Sequence, residues 1–127
     1  MIAALSAWHE RHEQAAAALE SITVLPAHVV VEAYSVLTRL PAGLAVAPLA
    51  AADVIARRFS GPPLRVGEGE RGRVLGRFAG AGVFGGASYD GLVALEAAAH
   101  GRTLLTLDER AQVTYQRMGV SFRIITA

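Results

Sequence analysis

Three carboxylate side chains have positions in the sequence that could support metal chemistry: Glu32, Asp90 and Asp108. Glu32 stands inside the apolar stretch HVVVEAYSVL, Asp90 opens the stretch YDGLVALEAAA, and Asp108 directly follows the strand-like TLLTL. Each also has a simpler interpretation. An aspartate at the start of a helix can cap its free N–H groups or offset its dipole, and Glu32 could lie at the edge of an apolar helix face. Taken singly, both interpretations stay open for each residue.

Taken together, the three acids indicate one site. Ligands of open parallel sheets bind beyond the carboxyl ends of the strands, and Asp108 stands at such an end. The start of the helix that carries Asp90 opens onto the same edge, and Glu32 lies early enough in its helix to reach it. Three converging carboxylates repel one another unless a divalent cation neutralises them. Oxygen ligands without His or Cys favour Mg²⁺ or Mn²⁺ over zinc.

The elements that must position these acids follow from the alternation of helical and strand-like segments. The pattern predicts helices at 6–20, 26–40, 48–59, 70–82, 88–100 and 108–119, and short strands at 21–25, 64–66, 103–107 and 122–126. Gly101 is predicted to end its helix as a C′ glycine. Such alternation indicates an α/β fold whose parallel sheet is covered by helices on both faces. No repeat or linker interrupts the chain, so we predict a single domain over residues 1–127.

The composition excludes several classes of protein. There is no cysteine, which excludes disulfides, thiolate catalysis and zinc–thiolate sites. All the basic residues are Arg, so a P-loop and Schiff-base lysine chemistry are excluded as well. The net charge of +1 argues against a general polyanion binder. No apolar run approaches the ~20 residues that span a bilayer, and the N-terminus does not resemble a signal peptide, so we expect a cytoplasmic protein without membrane contact.

Two glycine motifs and a histidine pair offer weaker alternatives. The pattern G-x-G-x-x-G occurs at 67–72 and again at 80–85, which raises the possibility of a dinucleotide-binding domain. The first follows only a three-residue strand and carries two glutamates where a pyrophosphate would bind, and the second follows no strand. The histidines of HERHE at 9–13 are three residues apart, which is the wrong spacing for a zincin helix.

Three blocks, VEAYSVLTRLP, YDGLVALEAAAHGRTLLTLDERA and TYQRMGVSFRII, resemble the PIN-domain ribonucleases, specifically the VapC toxins of bacterial toxin–antitoxin pairs. The resemblance covers nearly the whole chain, and its most specific part runs from Gly86 to Arg110. It implies a three-layer α/β fold with a central parallel sheet flanked by helices. It also implies that Glu32, Asp90 and Asp108 are the catalytic metal ligands.

The same resemblance implies a function. The expected activity is Mg²⁺-dependent endonucleolytic hydrolysis of RNA phosphodiesters, and the expected partners are an RNA substrate, a cognate VapB-type antitoxin and a second copy of the chain. Thr106 matches a position near the site that often carries a hydroxyl, with lower weight. Arg110 and Arg39 are candidates for contact with the RNA backbone, although a solvated surface role suits each equally well.

One departure from the family concerns the first strand. The family opens with a central strand that ends in an Asp, whereas here MIAALSAWHERH corresponds to the turn and helix that follow it. Either translation starts upstream of Met1, or the chain is a truncated toxin. We favour the first, because loss of a central strand would expose sheet edges and apolar helix faces. A chain without that Asp is expected to have little or no nuclease activity. It would then be a non-catalytic remnant that still binds an antitoxin or dimerises.

Overall fold

A computed structural model describes residue 20 and residues 22–106 and 108–124 of the chain. The elements of this described part, in chain order, are α1 (Ala27–Thr38), α2 (Pro48–Arg58), α3 (Glu68–Arg71), α4 (Val74–Ala81), α5 (Ala87–Ala98), β1 (Leu104–Thr106), α6 (Ala111–Met118) and β2 (Phe122–Ile124). The chain divides into two compact units, with the boundary between Pro63 and Leu64. None of the described helices is both long enough and apolar enough to cross a membrane.

The first unit is built on the packing of α1 against α2. Val29, Ala33 and Leu37 recur every four residues along α1, so they form one buried face. Ala51 and Ile55 form the corresponding face of α2. A proline precedes α1 and another opens α2, and proline suits a helix start because the N–H that it lacks would have no intrahelical partner. The predicted helices at 26–40 and 48–59 are therefore confirmed with slightly shorter bounds.

The predicted strand at 21–25 is wrong for the residues of it that the structure describes. Ile22–Leu25 has no strand assignment. The carbonyl oxygen of Ile22 accepts a hydrogen bond from Nη1 of Arg58 at 2.7 Å, and that of Thr23 accepts one from the backbone N–H of Gly61 at 2.9 Å. Carbonyl groups of this segment are thus satisfied by the end of α2 and the loop after it rather than by a strand ladder.

The second unit contains a β–α–β crossover. β1 and β2 pair in parallel, with Leu104 opposite Phe122 and Thr106 opposite Ile124. α6 connects the two strands and packs against α5. The buried side chains between these helices and the strands form the core of the unit: Val93, Ala94, Leu95, Ala97, Leu104, Ala111, Tyr115 and Met118. The predicted α/β class with a parallel sheet is confirmed, and two of its strands lie in the described residues.

The turn after α5 reverses the chain into β1. Gly101 has a φ of +63°, a left-handed conformation that glycine adopts without steric cost. Its N–H donates to the carbonyl of Ala98 at 3.0 Å, and the N–H of Arg102 donates to that of Ala97 at 3.0 Å. These two bonds form the Schellman pattern that ends a helix. The prediction that Gly101 is a C′ glycine is confirmed.

The predicted single helix at 70–82 is wrong, because the chain forms two helices there. α3 ends at Arg71 and α4 begins at Val74, with Gly72 and Arg73 in a turn closed by a bond from the Arg73 N–H to the Glu70 carbonyl at 2.9 Å. Glycine destabilises a helix interior, which explains the break. The predicted strand at 64–66 is reduced to a single bridge residue, Leu64. A dinucleotide fingerprint at 67–72 thus has no strand before it.

The remaining predicted helices and strands differ from the observed ones mainly at their ends. The strands predicted at 103–107 and 122–126 are confirmed at Leu104–Thr106 and Phe122–Ile124, while residues 107, 125 and 126 lie outside the described part. The helix predicted at 108–119 begins only at Ala111, because the three residues before it form a turn. The predicted N-terminal helix at 6–20 lies outside the described residues except for Glu20. The single-domain assignment over 1–127 stays a prediction.

Candidate active site

Asp108 is positioned by the turn between β1 and α6. Its Oδ1 accepts a hydrogen bond from the backbone N–H of Arg110 at 2.8 Å, which is the local bond of an Asx turn directly before α6. The residue is exposed. The N-cap residue of α6 is Arg110 and no side chain makes a capping hydrogen bond there, so the prediction that Asp108 caps the helix is wrong. The second carboxylate oxygen of Asp108, Oδ2, has no hydrogen-bond or ion-pair partner among the described residues, so one charged oxygen is open to a further ligand.

Thr106 fixes the backbone of Asp108 from the end of β1. Its buried hydroxyl oxygen accepts a hydrogen bond from the Asp108 N–H at 3.0 Å. This local contact holds the backbone at the start of the turn, because the Thr106 hydroxyl is bonded to the Asp108 N–H. That Thr106 lies beside an active site stays a prediction.

Asp90 lies in the first turn of α5 and is part-buried. The N-cap residue of the helix is Gly86, and no side chain makes a capping hydrogen bond there, so the idea that Asp90 or Ser88 caps α5 is wrong. A carboxylate in the first turn is still favoured by the helix dipole. The next residue, Gly91, packs so closely on α4 that an added Cβ would lie 2.8 Å from the Phe78 ring. The backbone around Asp90 is therefore held by tight helix–helix packing.

The order of elements predicts that Asp90 and Asp108 lie toward the same end of the second unit. α5 is followed by the reversing turn at Gly101 and then by β1, so an antiparallel return would bring the start of α5 toward the carboxyl end of β1. Asp108 follows that carboxyl end with only one residue between them. This is the edge of a parallel sheet at which ligands bind in open α/β folds. That the two carboxylates form one site stays a prediction.

Glu32 lies on α1 in the first unit and is exposed. It stands beside the buried face formed by Val29, Ala33 and Leu37, and it has no hydrogen bond or ion pair with any described residue. The interpretation of a solvated carboxylate at the edge of the apolar face is therefore correct for this structure. Arg39 follows α1 and is exposed, and Arg110 is exposed beside Asp108.

The donor types suit a hard divalent cation. Within the described ranges, no group of three His, Asp or Glu side chains is close enough to hold a metal ion. Mg²⁺ does not require such a cage, because it keeps several water ligands and is usually bound through one or two carboxylates together with substrate phosphates. Asp90 and Asp108 are carboxylates of the second unit. The residues present therefore fit Mg²⁺ in ligand type.

Two features near these acids escaped the sequence-based reasoning. Glu96 is buried in the middle of α5, with 5% of its surface exposed, and only its place inside the apolar run LVALEAAA could have signalled this. Phe84 and Tyr89 are instead exposed, although aromatic residues in an apolar chain are usually assigned to the core. Both aromatic residues lie within six positions of Asp90.

Comparison with known proteins identifies the family. The model of the PIN domain matches residues 1–116, so the chain belongs to the PIN-domain family. It is 40% identical over 126 residues to Ribonuclease VapC40 of Mycobacterium tuberculosis, which covers 99% of this chain and 94% of the relative. It is 44% identical over 121 residues to Ribonuclease VapC27 of the same species, covering 93% and 79%. The resemblance to VapC-type PIN domains is confirmed. No solved structure matches the chain.

Proposed function

We propose that this chain is a metal-dependent endoribonuclease of the VapC type that acts in the cytoplasm as the toxin of a toxin–antitoxin pair. The observation that carries the proposal is the placement of Asp108. It follows the carboxyl end of a parallel strand, its orientation is fixed by one hydrogen bond, and its second oxygen is open. The order of elements predicts that Asp90 lies toward the same end of the unit. Relatives that share 40–44% of their aligned residues with this chain carry the name ribonuclease.

For the proposed chemistry, residues of the site have to bind the metal ion, keep its ligands in place and contact the RNA. Asp90 and Asp108 would hold Mg²⁺ or Mn²⁺, with Glu32 as the third proposed carboxylate. A bound divalent ion of this kind lowers the pKa of a water ligand and offsets charge on a scissile phosphate. The Arg110 N–H holds the Asp108 carboxylate and the Thr106 hydroxyl holds the Asp108 backbone, so less rotamer entropy has to be lost when the ion binds. Arg110 is available at the surface for contact with the RNA backbone.

The proposed partners are a VapB-type antitoxin and a second copy of the chain. The first unit supports this proposal, because its helices expose apolar side chains on the surfaces that do not pack within the unit. These are Val31 and Tyr34 on α1, and Leu49 and Val54 on α2. Exposed apolar surface of this kind is typical of protein–protein contact sites.

A cleavage assay with matched aspartate variants tests the activity. The full chain and its Asp90→Asn, Asp108→Asn and Asp53→Asn variants are purified in the same way and incubated with total RNA and a labelled RNA pool, with Mg²⁺, with Mn²⁺ or with EDTA. Asp53 is the control, because it is an exposed aspartate of the first unit that pairs with Arg57 at 3.1 Å. We expect weak cleavage at most, and any cleavage should require the metal, survive Asp53→Asn, and fall at least about 100-fold in the other two variants.

The alternative function is a non-catalytic PIN module that binds an antitoxin or dimerises without cutting RNA. The observation that favours it is that the described residues contain no three-membered group of metal ligands. Capture of the antitoxin encoded beside the gene, combined with no cleavage of any RNA in Mg²⁺ or Mn²⁺, would establish the alternative. Cleavage that is equally strong in Asp90→Asn and Asp108→Asn would contradict the proposed site instead.

A further inference from the structure

An aromatic ring projects from the loop that joins α4 to α5. Phe84 has 78% of its surface exposed, while its neighbour Val83 is buried at 4%. Burial of a phenylalanine side chain stabilises a protein by roughly 1.5–3 kcal/mol, so an outward ring forgoes a substantial contribution to folding. The exposure of the Phe84 ring is explained if the ring contacts a ligand outside the unit.

Hydrogen-bonded turns on both sides of Phe84 keep its ring pointing outward. The Val83 N–H donates to the Phe78 carbonyl at 2.8 Å, and the Ser88 N–H donates to the Gly85 carbonyl at 3.1 Å. Gly85 itself has a φ of +60°, a conformation that side chains other than glycine rarely adopt. The Phe84 ring is thus flanked on both sides by hydrogen-bonded turns. Its exposure is a consequence of backbone geometry, which lowers the entropy lost when a ligand contacts it.

A positive charge is fixed at the base of the same loop. Nη1 of Arg117, on α6, donates to the carbonyl oxygen of Gly82 at 2.8 Å. This bond uses one of the five N–H donors of the guanidinium, and the side chain remains exposed. The loop therefore carries an exposed aromatic ring two residues along the chain from Gly82, whose carbonyl anchors the Arg117 guanidinium. Surfaces that bind single-stranded nucleic acid combine these two groups, one for a base and one for a phosphate.

The ring is also close to the proposed catalytic acid. Three Cα steps and one helical turn separate Phe84 from Asp90, so their Cα atoms are at most about 16 Å apart. Stacked nucleotides are spaced by about 3.4 Å along a strand, so the distance corresponds to at most about five nucleotides. Tyr89, directly before Asp90, is 64% exposed. An RNA strand bound at Asp90 can therefore reach Phe84.

We propose that the loop 82–86 is a binding subsite for single-stranded RNA, in which Phe84 stacks on an unpaired base and Arg117 contacts a neighbouring phosphate. This inference rests on the proposed ribonuclease function for its substrate, but it concerns binding and not bond cleavage. The subsite selects single-stranded segments, because a base within a duplex has no free face for the ring. It makes Phe84 a positioning residue that sets which phosphate reaches Asp90.

The test measures RNA binding apart from cleavage. The full chain carrying Asp108→Asn is titrated in Mg²⁺ into a fluorescein-labelled single-stranded RNA of twelve nucleotides, and anisotropy gives the Kd. We expect Phe84→Ala to weaken binding by roughly 5- to 150-fold, the range observed when a stacking aromatic is truncated. Phe84→Trp should bind as well as the parent, and Phe84→Leu should lose nearly as much as alanine, because leucine is apolar but has no ring.

Leu75 provides the matched control. It is 77% exposed, apolar and part of the same unit, on α4. Leu75→Ala should therefore change the Kd by less than about twofold. An RNA with an abasic nucleotide at the stacked position should bind the parent and Phe84→Ala equally. Arg117→Gln should lower the slope of log K against log salt by about 0.7, and Arg117→Lys should restore it. Thermal melts establish that each variant is folded.

The outcomes separate this proposal from the ribonuclease activity. Unchanged binding in Phe84→Ala, or full binding in Phe84→Leu, overturns the stacking subsite whether or not the chain cuts RNA. A loss of binding that follows dissociation of a dimer, measured by light scattering, also overturns it, since the ring would then be a contact between copies. If the chain has no nuclease activity but binds RNA in a way that depends on Phe84, the subsite is supported and the proposed ribonuclease function is contradicted.

Discussion

Replacement of Asp108 by Asn and by Ala separates the structural role of this carboxylate from its proposed catalytic role. The Oδ1 atom accepts the Arg110 N–H at 2.8 Å, and Oδ2 has no partner among the described residues. Asparagine keeps an acceptor oxygen in the Oδ1 position and forms Asx turns as aspartate does. Alanine removes both oxygens. The two variants therefore share the loss of the charge and differ in the turn bond to Arg110.

The expected magnitudes differ for the two roles. Loss of the turn bond to Arg110 costs about 1 kcal/mol of the free energy of unfolding, within the range of about 0.5–1.5 kcal/mol for a single hydrogen bond. For a chain of this length, this corresponds to a decrease in Tm of roughly 3–5 °C. Loss of a charged metal ligand costs about 3 kcal/mol or more of transition-state stabilisation, which is roughly a 100-fold loss of rate. Asp108→Asn should show only the second effect, and Asp108→Ala should show both.

Two assays on the same preparations measure these effects. Thermal unfolding followed by circular dichroism in EDTA gives the Tm without any contribution from metal binding. Initial rates of RNA cleavage at saturating Mg²⁺ give the catalytic loss. We expect Asp108→Asn to unfold within about 1 °C of the parent and to cleave at no more than about 1% of its rate.

Three results would refute this reasoning. If Asp108→Asn were as unstable as Asp108→Ala, the carboxylate charge rather than the hydrogen bond to Arg110 would stabilise the turn. If Asp108→Ala unfolded at the parent's Tm, the bond to Arg110 would contribute nothing. If either variant kept more than about a tenth of the cleavage rate, Asp108 would not be an essential ligand.

Further predictions concern packing, the positioning of Asp108 and the first unit. Gly91→Ala should lower the free energy of unfolding by about 1 kcal/mol, because the new Cβ would lie 2.8 Å from a buried ring and overpacking outweighs the gain in helix propensity. Gly76→Ala, with open space around its Cβ, should instead raise the Tm in the same melt. Thr106→Val should reduce cleavage by about tenfold and Thr106→Ser should restore it, since serine can still accept the Asp108 N–H. A fully active Thr106→Val would assign the hydroxyl a structural role only. Glu32→Gln should leave the Tm unchanged because the side chain is exposed, yet abolish metal-dependent cleavage; unchanged kinetics would remove Glu32 from the site.

Local sequence signals were sufficient to predict much of the second unit. The alternation at 103–126 predicted β1, α6 and β2, because the strand–helix–strand order is encoded by apolar periodicity within a short stretch. Gly101 predicted its turn because a left-handed residue is needed where a helix reverses into a strand. Asp108 was predicted to follow a strand, and it follows β1 with one residue between them. Its neighbours in sequence, Thr106 and Arg110, are also its hydrogen-bond partners.

The errors occurred where distant residues decide the conformation. The segment 21–25 has the composition of a strand, yet the guanidinium of Arg58, 36 residues away from Ile22, takes the carbonyl that a ladder would use. No periodicity reports such a contact. The break between α3 and α4 depends on the balance between glycine entropy and packing, which cannot be read from composition. The outward position of Phe84 likewise depends on turns on both sides of it, whereas hydrophobicity alone predicts a buried ring.

The short-range hydrogen bonds around Asp108 determine which substitutions the proposed site tolerates. Arg110 bonds to the Asp108 carboxylate and Thr106 bonds to the Asp108 backbone, both within two residues of it. Asp90 lies in the first turn of a helix that packs closely on Phe78 at Gly91. Substitutions in the apolar core between α5 and α6 alter stability through cavities, but they leave these short-range bonds intact. Substitution of Thr106 changes one hydrogen bond and little buried volume. Activity and stability should therefore respond to different residues, and relatives can diverge widely in the core while keeping the turn after β1.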